Sequence, residues 1–234
     1  MGKFILIRIA LGFLSLLAVS VLIFAATEIL PGDVASAVLG QGATPETLAA
    51  FRKELGLDRP ATVRYFEWFW GAIQGDFGQA LTNKREILPE LMKKFKNTLF
   101  LAGVAALITV PLSVGLGIIA AINEGKWQDR WSNIISLATI SVPEFFIAYV
   151  LILVFAVKLR WFPSLSTVFD GMPLSEMLYK ITLPAVTLTF LVAAHMLRMT
   201  RSSVLAIMSQ PYIEMAFLKG MPRSRVILKH ALPN

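Results

Sequence analysis

The sequence lacks cysteine altogether, and its 234 residues include only two histidines and 16% charged residues. Without cysteine the chain can form neither a disulfide nor a thiolate metal site. The two histidines, His195 and His230, lie 35 residues apart. Neither the H-E-x-x-H motif of zinc peptidases nor the G-x-S-x-G motif of serine hydrolases occurs. These absences predict that the chain has no catalytic residue, no metal site and no cofactor.

The sequence also lacks a loop that could bind ATP. Gly125 and Lys126 come nearest to a phosphate-binding loop, but Trp127 follows them and no glycine precedes at the required spacing. Asp76-Phe77-Gly78 matches the magnesium-binding triplet of protein kinases, yet the glycine-rich loop, the strand lysine and the catalytic loop of a kinase are missing. Any ATP hydrolysis that this protein uses must therefore take place on another chain.

Long hydrophobic runs are what the sequence does contain, since 56% of its residues are hydrophobic. A helix needs about 20 apolar residues to cross a bilayer. Four segments meet or approach that length, at residues 9–30, 98–123, 131–157 and 181–197. Inside a bilayer such segments form helices because every backbone polar group needs a partner. The sequence thus predicts an all-α fold, a polytopic membrane helix bundle with four spans. The first is a retained span, because its uncharged run of 19 residues exceeds a signal-peptide core and no A-x-A site follows.

The distribution of charge predicts the orientation of these spans. If the N-terminus is cytoplasmic, ten basic and three acidic residues lie on the cytoplasmic side, which accounts for the whole net charge of +7. This asymmetry obeys the positive-inside rule and explains the basic character better than nucleic-acid binding does. The residues concerned are Lys3, Arg8, Lys126, Arg130, Arg198, Arg201, Lys219, Arg223, Arg225 and Lys229, with Glu124, Asp129 and Glu214.

Residues 209–234 contain a short apolar segment, a glycine and a basic run. Pro211 suits the first turn of a helix, Glu214 lies near that N-terminus where a negative charge is favourable, and Gly220 ends the helix. Pro222 then begins a second short helix. A helix of about ten residues is marginal alone in water. This apolar example, on the basic side of a membrane protein, predicts a coupling element that docks into a partner.

The same segment resembles the EAA loop of ABC-importer permeases, whose pattern is E-A-A, three residues, G, nine residues, I, one residue and L-P. Glu214, Ala216, Gly220 and Leu232-Pro233 agree with it, whereas Met215 replaces the first alanine and His230 the isoleucine. Other stretches are similar to the dipeptide, oligopeptide and nickel branch of these permeases, so that the resemblance extends from residue 1 to residue 234. They are residues 30–33, 55–60, 75–78, 97–99, 140–145, 183–185 and 199–220.

This resemblance implies the membrane permease subunit of an ATP-driven importer in the inner membrane, for peptides or similar small solutes. It implies ATPase coupling through Glu214, Met215, Ala216, Phe217 and Gly220. The implied partners are a second permease, two ATP-binding ABC subunits and an extracytoplasmic solute-binding protein, besides the lipid bilayer.

The resemblance also suggests how the chain is divided. We expect an N-terminal span at residues 1–30, a periplasmic or interfacial loop at 31–97, and a permease core at 98–234 that includes the coupling loop 209–234. Members of the branch continue past Leu-Pro into further spans, usually two, so we expect this chain to be truncated.

Glu144 is the one ionisable residue of the third predicted span, and Pro143 beside it should break that span. A carboxylate at mid-membrane costs about 2.5–3.5 kcal/mol on insertion scales. Glu144 therefore either lines a translocation path, where it meets a substrate amine, or makes a polar bond to backbone that Pro143 frees. His195 is a neutral interfacial side chain or a proton relay. Two rival classes stay open: an intramembrane enzyme that uses Glu144 and His195, and a four-span structural or channel protein.

Two further patterns predict local structure. Thr44 and Pro45 begin a helix that Gly56 ends, and an aromatic helix covers residues 61–73. The aromatic helix either lies at the membrane interface or packs as a cap on the bundle. In the second span small residues recur every four positions, which predicts close helix packing. They are Ala102, Ala106, Ser113, Gly117 and Ala121.

Overall fold

The computed structural model describes residues 2–29, 34–40, 43–80, 83–227 and 229, and over these ranges the chain forms helices and no strand. The predicted all-α membrane bundle is thereby confirmed. The helices are α1 (Gly2–Ile29), α2 (Val34–Leu39), α3 (Pro45–Glu54), α4 (Ala61–Ile73), α5 (Ile87–Ile122), α6 (Trp127–Ser141), α7 (Glu144–Leu151), α8 (Leu174–Met208), α9 (Pro211–Leu218) and α10 (Arg223–Val226). A π-helical segment, Ile152–Lys158, directly follows α7.

Three helices, α1, α5 and α8, are long and apolar enough to cross a membrane, as judged from length and composition. Helices α6 and α7 pass the same test only together, as a pair bent by 98° that is either a broken span or a re-entrant loop. The described part of the chain therefore holds three candidate spans, or four if the bent pair counts as one.

The chain divides into two compact units, Met1–Lys94 and Phe95–Asn234. In the first unit α1 buries none of its residues. Helix α3 begins as predicted, because Thr44 accepts a hydrogen bond from the Thr47 backbone N–H at 3.3 Å and Pro45 occupies the first turn. Helix α4 has the predicted bounds. Asp76 has a local role in which its Oδ1 accepts the backbone N–H of Gly78 at 2.8 Å.

In the second unit α5 packs a row of small side chains, spaced four residues apart, against α8. Ser113, Gly117 and Ala121 belong to this row as predicted. Ala102 and Ala106 do not, because the buried face continues from Ser113 to Thr109 and Ala105 and leaves the neighbouring face exposed. The approach is closest at Gly117, where an added Cβ would lie 2.7 Å from Cβ of Thr200.

The break between α6 and α7 follows from Pro143, as the sequence predicts. Proline removes a backbone donor and pushes the preceding residue into extended conformation. Val142 accordingly has φ −95° and ψ 130°, and α7 starts at Glu144. Helix α8 differs from expectation, since it has 35 residues where the apolar segment predicts 17. Its polar ends continue the helix, and Pro184 lies inside it.

Candidate functional site

A sharp turn separates the start of α9 from the end of α8, and a second sharp turn separates the end of α9 from α10. Pro211 occupies its first turn after the extended residue Gln210, and Glu214 lies in the same turn. At the other end Gly220 has φ +79°, a left-handed conformation that glycine adopts without strain. The Gly220 N–H bonds to the Phe217 carbonyl at 2.8 Å and the Met221 N–H to the Ala216 carbonyl at 3.3 Å. These two bonds form a Schellman motif, which ends the helix where the sequence predicts.

The inner face of α9 is anchored in apolar contacts. Ile213 and Ala216, one turn apart, are buried with Val226 of α10, and Ile207, Met208 and Met221 pack around them. Met208 also borders a second buried cluster, formed by Ala121, Val204 and Ile227. Helix α9 thus packs on the end of α8, and through Met208 it borders the cluster in which α5 and α8 meet.

The outer face of α9 is apolar and uncovered. Tyr212, Met215 and Leu218 recur every three residues, and all three are exposed, Leu218 to 76%. Phe217 and Glu214 are exposed beside them. A row of large apolar side chains on a short, firmly held helix is suited to contact with another protein.

The predicted coupling residues therefore divide into two groups. Glu214, Met215 and Phe217 lie on the exposed side, whereas Ala216 is buried and Gly220 supplies the turn. Tyr212 and Leu218 are additional members of the exposed row, which the three-residue spacing from Met215 indicates. His230 to Pro233, which complete the EAA-like pattern, lie outside the described residues, as do residues 30–33.

A buried ion pair joins α6 to α8 a few turns before α9. Arg201 Nη2 donates to Asp129 Oδ2 at 2.8 Å, and Arg201 Nε donates to the second carboxylate oxygen. Asp129 also accepts the backbone N–H of Gly125 at 3.0 Å and the amide of Asn133 at 3.0 Å. Asp129 is only 4% exposed, and both oxygens of its carboxylate are hydrogen-bonded and paired with Arg201. Such pairing is what makes a buried charge tolerable.

Glu144 and Pro143 lie at the bend of the broken span. Pro143 caps α7 and Glu144 is its first residue, where a carboxylate is favourable beside the helix N-terminus. The Glu144 side chain is exposed, and within the ranges that the structure describes it has no hydrogen-bond or ion-pair partner. The alternative of a polar bond to freed backbone is thus not realised among these residues.

His195 occupies an exposed position in the interior of α8. In the described part of the chain no hydrogen bond or ion pair joins it to Glu144, and no cluster of three or more metal-ligating residues occurs there. An apolar cavity of about 320 Å³ lies between α5, α6 and α8, with Ser136, Thr139 and Thr189 among its lining residues.

The fold and α9 define a class, an integral membrane protein that presents an anchored apolar helix beyond its spans. Comparison with known proteins agrees with this class. Residues 113–234 match the family described as binding-protein-dependent transport system inner membrane component. Residues 1–102 match the N-terminal model of the membrane components of the same transport systems.

Individual relatives extend the match over the whole chain. A putative peptide transport system permease protein of Brucella abortus is 35% identical over 235 residues, which cover 100% of this chain and 74% of the relative. The glutathione transport system permease protein GsiC of Escherichia coli is 35% identical over 220 residues, or 94% of this chain and 69% of the relative. The chain belongs to the binding-protein-dependent transport system inner membrane components, the permease subunits of ABC importers. Membership makes it a multi-pass transport subunit and not an intramembrane enzyme or a structural protein.

Proposed function

We propose that this chain is the permease of an importer for peptides or similar small solutes, powered by ATP hydrolysis on a partner chain. Two groups of relatives carry peptide and glutathione transport in their names, which supports a peptide-like substrate. The sequence offers no phosphate-binding loop of its own, so the nucleotide is expected on a separate subunit.

The observation that carries this proposal is the contrast between the two faces of α9. Ile213 and Ala216 fix the helix to α10 and to the end of α8, while Met215 and Leu218 are exposed. A helix that is anchored on one face and apolar on the other can pass a displacement of its partner on to the membrane helices, whereas a flexible loop would not. The proposed occupant is a cleft on the ATP-binding subunit, which takes up Tyr212, Met215, Phe217 and Leu218 with Glu214 at the rim.

We further propose a route from α9 into the membrane. Helix α8 leads into α9 through Ser209 and Gln210, and Arg201 near its end holds Asp129 at the start of α6. Helix α6 in turn ends at the Pro143 break, beyond which lies Glu144. A displacement of α9 would thus be passed to the bend. Nucleotide can drive this change only if the α9 contact differs in free energy between the two states of the transporter.

Glu144 and Pro143 are proposed to line the translocation path. An exposed carboxylate that has no partner among the described residues, next to a break in a membrane span, is costly unless it faces a water-filled cavity or a bound cation. The protonated amine of a peptide is such a cation. The path would be shared with a second permease, and a solute-binding protein would deliver substrate to the extracytoplasmic face, with the N-terminus of this chain in the cytoplasm.

The test of coupling is purification of the complex through a tag on the ATP-binding subunit. Leu218→Asp places a charge in the outer row of α9, and it should reduce recovery of this chain by about tenfold or more, which corresponds to about 1.4 kcal/mol. Leu165→Asp is a matched control, because Leu165 is also 76% exposed but lies in the loop before α8. Equal recovery of both variants would refute coupling through α9.

A further inference from the structure

Helix α4 carries two apolar faces, and among the residues that the structure describes one of them is covered while the other is exposed. Tyr65 is buried against α1, where its hydroxyl lies 2.8 Å from Ser20 Oγ and its ring centroid 5.3 Å from that of Phe24. A second row, at spacings of three, four and three residues, is exposed and forms one stripe along the helix. Its members are Val63, Phe66, Trp70 and Ile73, of which Phe66 and Trp70 are 66% and 67% exposed.

The charges of α1 locate the hydrocarbon layer on that helix. Arg8 and Glu28 bound its uncharged run, and 20 residues at 1.5 Å each place them about 30 Å apart, which is the thickness of the hydrocarbon core. Charged side chains are rare within that core, and those near the ends of a span reach its edge. Glu28 therefore marks one edge, and Ser20 lies about 12 Å further in along the helix axis.

The contacts between α4 and α1 show which side of α4 points toward the membrane centre. Arg64 Nη2 donates to Glu28 at 2.7 Å, at the edge, whereas Tyr65 bonds to Ser20, deeper in. Successive residues of a helix are about 100° apart, so Phe66 lies on the opposite side of Tyr65 from Arg64. Because the Arg64 side faces the edge and water, the Phe66 side faces the hydrocarbon.

The composition of the two sides agrees with this direction. Glu67 lies at the border between the two sides, one turn from Arg64 and also one turn from Val63 and Trp70, and it is paired with Arg59. The stripe on the other side is apolar and aromatic, the composition of helices that lie in the boundary between headgroups and acyl chains. Helix α1 itself buries no residue, so most of its apolar surface is available to lipid away from its contacts with α4.

We propose that α4 is a membrane-surface helix of the permease, with Val63, Phe66, Trp70 and Ile73 inserted among the outer acyl-chain segments of the lipid. Ser20, Phe24 and Glu28 of α1 set its depth, and the stripe fixes its rotation about its own axis. The occupant is the lipid surface. The inference does not depend on the identity of the solute or on the role of α9.

Single-cysteine variants test the proposal in the full chain, assembled with its partners and reconstituted into bilayers that contain brominated acyl chains. This chain has no cysteine of its own, so Phe66→Cys, Ile73→Cys and Glu67→Cys each give it one labelling site, and partners without accessible cysteines keep the label specific. Fluorophores at residues 66 and 73 should be quenched by the brominated lipid. These two cysteines should react with a membrane-impermeant maleimide about tenfold or more slowly than the cysteine at residue 67, where the natural side chain is charged and paired with Arg59.

Two outcomes would overturn the proposal. Equal maleimide rates at residues 66, 67 and 73 would mean that the stripe faces water. Slow labelling without quenching by brominated lipid would mean that another protein covers the stripe, and dependence of that protection on added solute-binding protein would identify it. Because Phe66 and Ile73 lie two turns apart, failure of one variant to fold leaves the other to decide. Association with the ATP-binding subunit, measured on the same samples, separates this result from the proposed coupling.

Discussion

Asp129 and Arg201 are 72 residues apart in sequence, yet they form a two-point ion pair that fastens the start of α6 to the last turns of α8. The same carboxylate receives the backbone N–H of Gly125, so the α5–α6 turn is held as well. Two helices, α6 and α8, and the turn between α5 and α6 thus meet at one buried acid. The pair lies between α9 and the bend at Pro143, the two features on which transport is proposed to depend.

Removing one partner of this pair should destabilise the permease strongly. Arg201→Met leaves the Asp129 carboxylate buried without its cation, at an expected cost of about 3 kcal/mol, the low end for buried pairs because the Arg201 side chain is 23% exposed. The double variant Asp129→Asn with Arg201→Met should cost less than the sum of the two single variants. Thermal unfolding of the purified complex measures this, and additive shifts would show that the two residues do not interact.

Gly220 should be required for its conformation and not for its small size. An added Cβ would meet no atom within 4 Å, so any loss must come from the left-handed φ of +79°. Gly220→Val should weaken α9 by about 1–2 kcal/mol, whereas Gly220→Asn should be nearly neutral because asparagine tolerates this region. Hydrogen exchange of the α9 amides checks the prediction. Equal protection in the two variants would contradict it.

Gly117 is predicted to be required for the opposite reason. In Gly117→Ala the new Cβ would lie 2.7 Å from Thr200 Cβ and 3.0 Å from the Leu197 carbonyl oxygen, so α5 and α8 must separate. Overpacking of this kind costs about 1–3 kcal/mol. Gly115→Ala is the control, since it lies in the same helix and its Cβ meets nothing within 4 Å. The melting temperature should fall only in the first variant, and an unchanged value there would refute close packing.

Glu144→Gln should impair uptake without disturbing assembly. If the carboxylate meets a substrate amine, its neutral analogue should raise the substrate concentration for half-maximal uptake about tenfold, the equivalent of about 1.4 kcal/mol. Glu176→Gln, at the exposed start of α8, is the control and should leave uptake unchanged. Uptake by reconstituted transporter measures both, and unaltered transport of every substrate by Glu144→Gln would end its assignment to the path.

Local signals explain why much of α9 could be predicted from the sequence. Pro211 and Gly220 act on the backbone of their own neighbourhood, and the structure places the helix and its Schellman end accordingly. The break at Pro143 is local in the same sense. The burial of Ala216 could not be predicted from local sequence, because it depends on Val226 and the end of α8 packing against α9.

Long-range geometry could not be predicted in this way. The 98° angle at Pro143 depends on what α6 and α7 pack against. The choice of Arg201 as partner for Asp129, and of Ser20 for Tyr65, depends on tertiary contacts 72 and 45 residues apart in sequence. The sequence underestimates the length of α8, because the polar residues at its two ends resemble loop residues. In the fold these residues continue the helix.

The most direct test of the account is crosslinking from α9 in the assembled transporter. Met215→Cys places a thiol in the exposed row, and the chain offers no other cysteine. We predict that a short bifunctional reagent joins residue 215 to the ATP-binding subunit in a nucleotide-dependent manner, whereas Ile213→Cys, at a fully buried position, forms no adduct. Labelling of residue 215 from the extracytoplasmic side, or an intact complex without any adduct, would contradict coupling through this helix.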